Sequence, residues 1–349
     1  MNEDEDAVLN SSLIIPHSSF NFMELFRTLA VLAEPPDHAG VAALARLLDL
    51  GEPPALTEYT DVFVFQLPPY ASVYLGNEGM LGGEARDRVA GFLAALGHVP
   101  PPEPDHLTTL LATYAELSAH DDATARVEVG DDEVEESVDE ADARRVDEEY
   151  ARRRASFRAA RKAFLWEHLL SWLPAYLDKL AEVAPPFYRA WAKLLLDALF
   201  EEAANVGRQR ALPLHLREAA PLEDPRAAAS AEEFLQGLLA PARSGLVLTR
   251  ADLARAARAL GLGLRAGERK FALKSLFAQD AAGALSWLAE EAVRWTKRHA
   301  RDRDALGELA AWWSSRARET AKLLRELRVD AGGAVESVAL DAGEEKEHS

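Results

Sequence analysis

The sequence predicts an all-α fold, and three observations carry that prediction. Apolar residues recur at helical spacing in one segment after another between residues 20 and 327. Proline pairs and glycines divide these segments where helices would stop. The one strand-like run, residues 62–65 (Val-Phe-Val-Phe), is short, sits between helical patterns and is followed by Pro68-Pro69. Helix or irregular structure is therefore expected there. With 349 residues, 48% of them hydrophobic, the chain can bury a sizeable core, read as one large helical domain and a smaller second one.

Taken in order, residues 1–19 read as a polar tail. A helical face follows with Phe22, Leu25, Phe26, Leu29 and Leu32, stopped by Glu34-Pro-Pro-Asp-His38. Another opens with Val41, Leu44, Leu47 and Leu48. Gly76, Gly79, Gly82 and Gly83 form a loop before an amphipathic helix over 84–96, which Gly97 ends. Pro100, Pro101, Pro102 and Pro104 then fix a stiff connection. A leucine stripe begins at Leu107 and continues through Leu110, Leu111, Tyr114 and Leu117. Asp105 stands where an N-cap would stand, followed at once by His106. This pair reads either as a helix cap or as a polar anchor for something that docks there.

Residues 121–149 are acidic and poor in core-forming side chains, so they are expected to be a mobile insertion. The arginine-rich start of the next helix follows, with Glu148 and Arg152 spaced as an i, i+4 pair. Arg153-Arg154-Ala-Ser-Phe157 imitates a twin-arginine signal that could occupy this chain's own site, but the residues after it alternate with charge. The broadest apolar face runs from Phe157 to Leu180 and includes His168 and Trp172, with Pro174 expected to kink or divide it. A lone histidine on such a face reads first as a core residue. A second buried helix starts after Pro185-Pro186. Residues 211–245 read as a connection with one short helix, 246–329 as a C-terminal helical domain and 330–349 as a polar tail. Thr249 and Asp252 are spaced as a capping box.

Cysteine is absent, which excludes disulfides, thiolate catalysis and cysteine zinc sites. No apolar run reaches the roughly 20 residues of a membrane span, so no stable membrane insertion is expected. The start of the chain has no basic n-region, and a soluble cytoplasmic protein is expected. The net charge of −19 is unevenly placed: residues 1–150 carry −24 and residues 151–349 carry +5. Such an acidic half repels nucleic acid and draws cationic partners. Gly261-Leu-Gly-Leu-Arg-Ala-Gly267 lacks the ending of a P-loop and follows a helix. The nine histidines lack metal spacing. No catalytic motif is present, so an enzyme is not expected. Residues 249–277 could pass for a helix-turn-helix, which makes a helical DNA-binding regulator the alternative reading.

Three segments together resemble the TorD/DmsD/NarJ family of molybdoenzyme maturation chaperones: Pro69-Tyr-Ala-Ser-Val-Tyr-Leu-Gly76, Pro104-Asp-His-Leu107 and Phe164-Leu-Trp-Glu-His-Leu-Leu-Ser-Trp172. The resemblance spans roughly residues 20–210. It implies an all-helical, non-enzymatic chaperone domain with a C-terminal helical extension. It also implies binding of the twin-arginine signal peptide and apo catalytic subunit of a molybdopterin oxidoreductase. The client would be held until molybdopterin guanine dinucleotide is inserted, with no cofactor bound tightly by the chaperone itself. Cofactor-insertion proteins are further partners on this reading. His168, Leu169 and Trp172 match the family's aromatic helix. Asp105 and His106 match its Asp-His pair, with Pro102 where the family has glutamate and Glu103 displaced by one. Glu34-Pro-Pro-Asp-His38 matches the same signature in spelling but stands too early in the chain. The resemblance thus nominates Glu103, Pro104, Asp105 and His106 as peptide anchors. Tyr70, Tyr74, Leu107, Leu111, Trp166 and Trp172 are nominated with His168 for the groove.

Overall fold

The computed structural model describes residues 22–77, 79–127, 140–226, 230–264 and 267–344. They are helical throughout, as expected, and the described residues contain no strand beyond one isolated antiparallel bridge, Tyr70 to His106. Helices α1 (Phe22–Val31) and α2 (Val41–Leu47) flank the turn at 34–38. Helix α3 (Leu56–Tyr59) runs into a π-helical stretch, Thr60–Gln66, followed by α4 (Ala71–Leu75) and α5 (Gly83–Ala95). The long helices α6 (Leu107–Val127) and α7 (Glu140–Phe164) come next. A second π-helical stretch, Leu165–Leu169, then leads to α8 (Leu173–Val183) and α9 (Pro186–Val206). Three short helices, α10 (Leu214–Glu218), α11 (Ala231–Leu239) and α12 (Pro241–Ser244), precede the last five. These are α13 (Arg250–Leu260), α14 (Arg269–Gln279), α15 (Ala281–Arg301), α16 (Arg303–Leu306) and α17 (Glu308–Glu344).

The strand-like residues are helical because two neighbours must point inward together. Val62 and Phe63 are both buried, and Phe63 meets Tyr188 edge-on at 4.8 Å between centroids. A strand would send alternate residues to opposite faces. Pro174 divides its helix, as one of the two expectations had it, because it stands in the first turn of α8, where its missing N–H leaves no bond unmade. Helices α1, α6 and α9 close around aromatic side chains. Phe26 of α1 meets Tyr114 of α6 at 4.9 Å, and the Trp191 indole N–H of α9 donates to the Leu29 carbonyl at 3.1 Å. Arg161 of α7 and Tyr114 both bond the Glu202 carboxylate, which is fully buried. This arginine therefore ties three helices rather than offering charge to solvent. The Glu148–Arg152 pair forms at 3.0 Å.

Several stretches differ from the sequence reading. Helix α6 extends to Val127 and α7 begins at Glu140, so helix covers much of the acidic stretch; residues 128–139 and the tail at 1–19 lie outside the described residues. Residues 211–245 hold three helices and bury Leu216, Phe234, Leu235 and Leu238. The backbone of α17 continues through 330 to Glu344. Buried side chains from Leu25 to Leu324 make one continuous apolar core across both halves.

The two halves meet at close contacts. Gly79 lies so near α11 that a Cβ there would stand 2.7 Å from the Leu239 carbonyl oxygen, and its φ of 62° also favours glycine. The Trp313 indole N–H of α17 donates to the Ser171 carbonyl at 3.1 Å. At the centre is Lys179 of α8, fully buried, with its ammonium 3.1 Å from Asp252, 2.9 Å from Glu182 and 3.9 Å from Glu291. Asp252 is also the reciprocal partner of Thr249 in the capping box, which forms as the spacing predicts. One carboxylate thus starts α13 and neutralises a lysine from the other half. Arg255 closes the cluster against Asp252 and Glu291.

Replacing Lys179 with alanine removes the fully buried cation and leaves Asp252 and Glu291 with only the partly exposed Arg255 and Arg294 as charge partners. A loss of about 3 kcal/mol, the low end for breaking a buried pair, is expected, read as a lowered urea midpoint. A loss under 1 kcal/mol would mean that the cluster is already hydrated.

Candidate functional site

The proline connection is stitched to the segment before α4. The Leu107 N–H donates to the Pro69 carbonyl at 2.8 Å, and the Ala71 N–H donates to the Asp105 carbonyl at 3.0 Å. The Asp105 side chain turns inward as well. Its Oδ2 accepts the Ser72 N–H at 3.0 Å, and the residue is only 2% exposed. Asp105 therefore satisfies the first turn of α4, not the helix that follows it in sequence. His106 holds the cap position of α6: its carbonyl accepts the Leu110 N–H at 3.0 Å and its Nδ1 accepts the Thr108 N–H at 3.3 Å. The expectation that Asp105 itself reaches a ligand meets a carboxylate already committed to backbone.

Around this stitch, the accessible side chains form an open groove. Its floor is the outer face of α6, Thr108, Thr109, Ala112, Thr113 and Glu116. One wall is the proline connection with His98, Val99, Pro101 and Glu103; the other brings Glu34, Pro35 and Tyr59. His106 lies at the end where the walls meet α6, and the groove encloses about 630 Å³. Tyr70 braces it. Its hydroxyl donates to Glu103 at 3.1 Å and its ring meets the His106 ring edge-on at 4.8 Å. Burial, then the bond to Glu103, pushes the Tyr70 phenol up to about 12. Burial lowers the His106 pKa, against the opposing pull of Glu34, Glu103 and Asp105. Glu34, Glu103 and Glu116 form no ion pair among the described residues. The groove thus offers unneutralised carboxylates beside apolar Val99, Pro35, Pro101 and Tyr59.

The other nominated residues lie elsewhere. Leu107, Leu111 and Trp172 are fully buried, and Tyr74, Trp166 and His168 nearly so. Tyr74 stacks on Trp172 at 5.1 Å, and the Trp172 N–H donates to the His168 carbonyl at 2.9 Å. The Trp166 N–H donates to the Gly207 carbonyl at 3.2 Å. These side chains form the core under the site and not a groove wall, because their apolar area is already covered. Pro104 is buried beneath the loop. His168 sits among Phe92, Phe164 and His215, and burial, then His215, pushes its pKa down to about 3. Pro35, Tyr59 and Glu116 were missed by the sequence reading, and Glu34 was set aside there as too early in the chain. The signal was present for Glu34 and Pro35, which open the early Glu-Pro-Pro-Asp-His segment. Asp37 and His38 of that segment are exposed. The twin-arginine-like residues Arg153 and Arg154 lie within α7 and are not among the groove's lining. On α14, Lys270 and Lys274 face Glu232, and Arg269 donates to the Leu248 carbonyl at 2.9 Å. The basic residues a DNA-reading helix would present are thus engaged within the chain.

The class these features define is an all-α scaffold with one acidic, partly apolar groove. Within that class, residues 33–178 match the family of the nitrate reductase delta subunit, a family of molybdoenzyme maturation chaperones. The match takes in every residue of the groove and ends in α8. No curated protein matches the chain.

Replacing Asp105 with alanine leaves the buried Ser72 N–H without its acceptor, at a cost of about 1–3 kcal/mol. Asparagine, which still presents an oxygen, should restore most of it; thermal unfolding of the two variants makes the comparison. His168, His215 and His299 are all buried, the last two held near 4 chiefly by burial. The unfolded chain takes up protons that the folded chain refuses, so their stabilisation is complete above about pH 6.5 and declines as pH falls toward 4. Each contributes a loss of roughly 2 kcal/mol by pH 5. His168→Gln should therefore lose about that much less than the wild type between pH 7.5 and pH 5 in urea titrations.

Proposed function

We propose that the chain is a cytoplasmic chaperone that holds the twin-arginine signal peptide of a molybdenum enzyme's catalytic subunit in the α6 groove. The apo-subunit is thereby kept from export until molybdopterin guanine dinucleotide has been inserted. The observation that carries this reading is the groove itself, where Glu34, Glu103 and Glu116 form no ion pair among the described residues and stand beside apolar Val99, Pro35, Pro101 and Tyr59. A signal peptide has a cationic region followed by an apolar one, and it needs both kinds of surface side by side. The family matched by residues 33–178 supplies the kind of client. On this reading Glu103 and Glu34 meet arginine, His106 and Tyr70 hold Glu103 in place, and Asp105 fixes the loop that carries them. The chaperone needs no catalytic group or resident cofactor for this task.

A client signal peptide should bind in calorimetry with an affinity that falls as salt rises, since exposed charges carry much of the attraction. Glu103→Lys should weaken binding at least tenfold while leaving the melting temperature within a few degrees. A pull-down from the native cytoplasm that recovers no molybdopterin oxidoreductase, in cells that make one, would overturn the assignment.

A further inference from the structure

The early Glu34-Pro-Pro-Asp-His38 segment and the far end of α6 both bear on how the groove reads a peptide. Glu34 and Glu103 come from segments almost seventy residues apart, yet they line the same end of the groove as His106 and both act on its charge. Glu103 is placed there by its backbone, whose carbonyl accepts the Thr109 hydroxyl at 3.1 Å. Glu116 lies on the same face of α6, seven residues beyond Thr109. At 1.5 Å per residue, that separates the two acidic positions by about 10–11 Å along the helix. Between them the floor is Ala112 and Thr113, short side chains that offer no charge.

From this spacing we infer that the groove has two cation stations, and that its ligand is an extended peptide carrying positive charge at both. This deepens the peptide-binding reading above and rests on it. The first station, Glu34 with Glu103, presents two carboxylates and suits guanidinium groups, which pair with carboxylates through a planar fork. The second station, Glu116, takes a further cationic side chain. An extended chain advances about 3.3 Å per residue, so this side chain stands three or four residues from the first. A helical ligand would need about seven residues to cover the same distance, so the spacing of the charges distinguishes the two conformations. Glu34 thereby supplies the acidic position that Pro102 leaves empty in the later segment. Its early place in the chain is immaterial once the fold brings it to His106.

The test uses the full chain and synthetic peptides with one Arg-Arg pair and an apolar stretch. A third arginine is placed two, three, four, six or eight positions beyond the pair, with the same set built on the other side. Calorimetry should show affinity rising about threefold to fivefold only at spacings of three or four, on one side of the pair. Glu116→Gln should abolish that gain, so that on this variant the peptides with a third arginine bind no tighter than the parent peptide, whereas Glu34→Gln should weaken every peptide in the set. A gain equal at all spacings, a gain that survives in Glu116→Gln, or an affinity indifferent to Glu34→Gln would overturn the two-station arrangement. If the parent peptide fails to bind at all, the peptide-binding reading falls with it, so the two failures are separable.

Discussion

The site depends on one buried hydrogen bond, from the Ser72 N–H to the Asp105 carboxylate. A five-residue helix such as α4 cannot hold itself together in water. Its first N–H groups need acceptors, and here they come from a loop more than thirty residues away. The exchange works in both directions. The proline connection has few N–H groups with which to anchor itself, and α4 supplies a fixed edge for it. Prolines limit the conformations the loop can sample, and the Asp105 contacts select one. His106 at the mouth of α6 and Glu103 beside Tyr70 then stand in defined places at the surface. A polar residue at 2% exposure is thus the reason the exposed Glu103 and the half-buried His106 are well placed.

Much of this could be read from the sequence, and the failures have physical causes. Helix positions followed from apolar spacing, and the Thr249–Asp252 box and the division at Pro174 followed from local chemistry that acts within a few residues. Asp105 was read either as a cap of the next helix or as an anchor for a ligand, and its bond to the start of α4 was foreseen by neither reading. The convention that an N-cap serves the next helix looks only along the chain, and here the carboxylate crosses to α4. Tyr74, Leu107, Trp166 and Trp172 were nominated as groove walls because they belong to the segments that carry the family resemblance. Resemblance marks residues a fold needs, and large aromatic side chains are needed first for burial. Trp172 stacked against Tyr74 is such a case. Glu34 was set aside on position alone, yet position along the chain says little about position in a helical fold.

The second half explains why the groove can stand open. Lys179, Asp252 and Glu291 are a buried ionic cluster, in which the attraction between charges only roughly offsets the cost of removing them from water. Such a cluster adds little net stability. It does punish misalignment, because a shift of α13 or α15 against α8 would leave charge uncompensated in the core. Gly79 against Leu239 and the Trp313 bond to Ser171 add contacts of the same kind, sensitive to small displacements. Together they brace the aromatic core beneath the site through residues that are not among the groove's lining. The groove's walls can then be made of loop and turn without the fold relying on them.

Electrostatics gives the arrangement its direction. The first 150 residues carry a net charge of −24, and most acidic side chains on such a surface are well solvated and simply repel one another. The groove differs because Glu34, Glu103 and Asp105 converge on His106, whose burial disfavours the proton that would otherwise relieve them. Several of the chain's own cations are engaged elsewhere: Arg161 with Glu202, Arg255 with Asp252 and Glu291, Arg88 with Glu84 and Glu218. On the proposed function, an incoming cation meets carboxylates that form no ion pair among the described residues and that stand beside apolar side chains. A peptide with positive charge and an apolar stretch then gains more from this groove than from the acidic surface around it, which is how a chain so acidic overall can still favour one place.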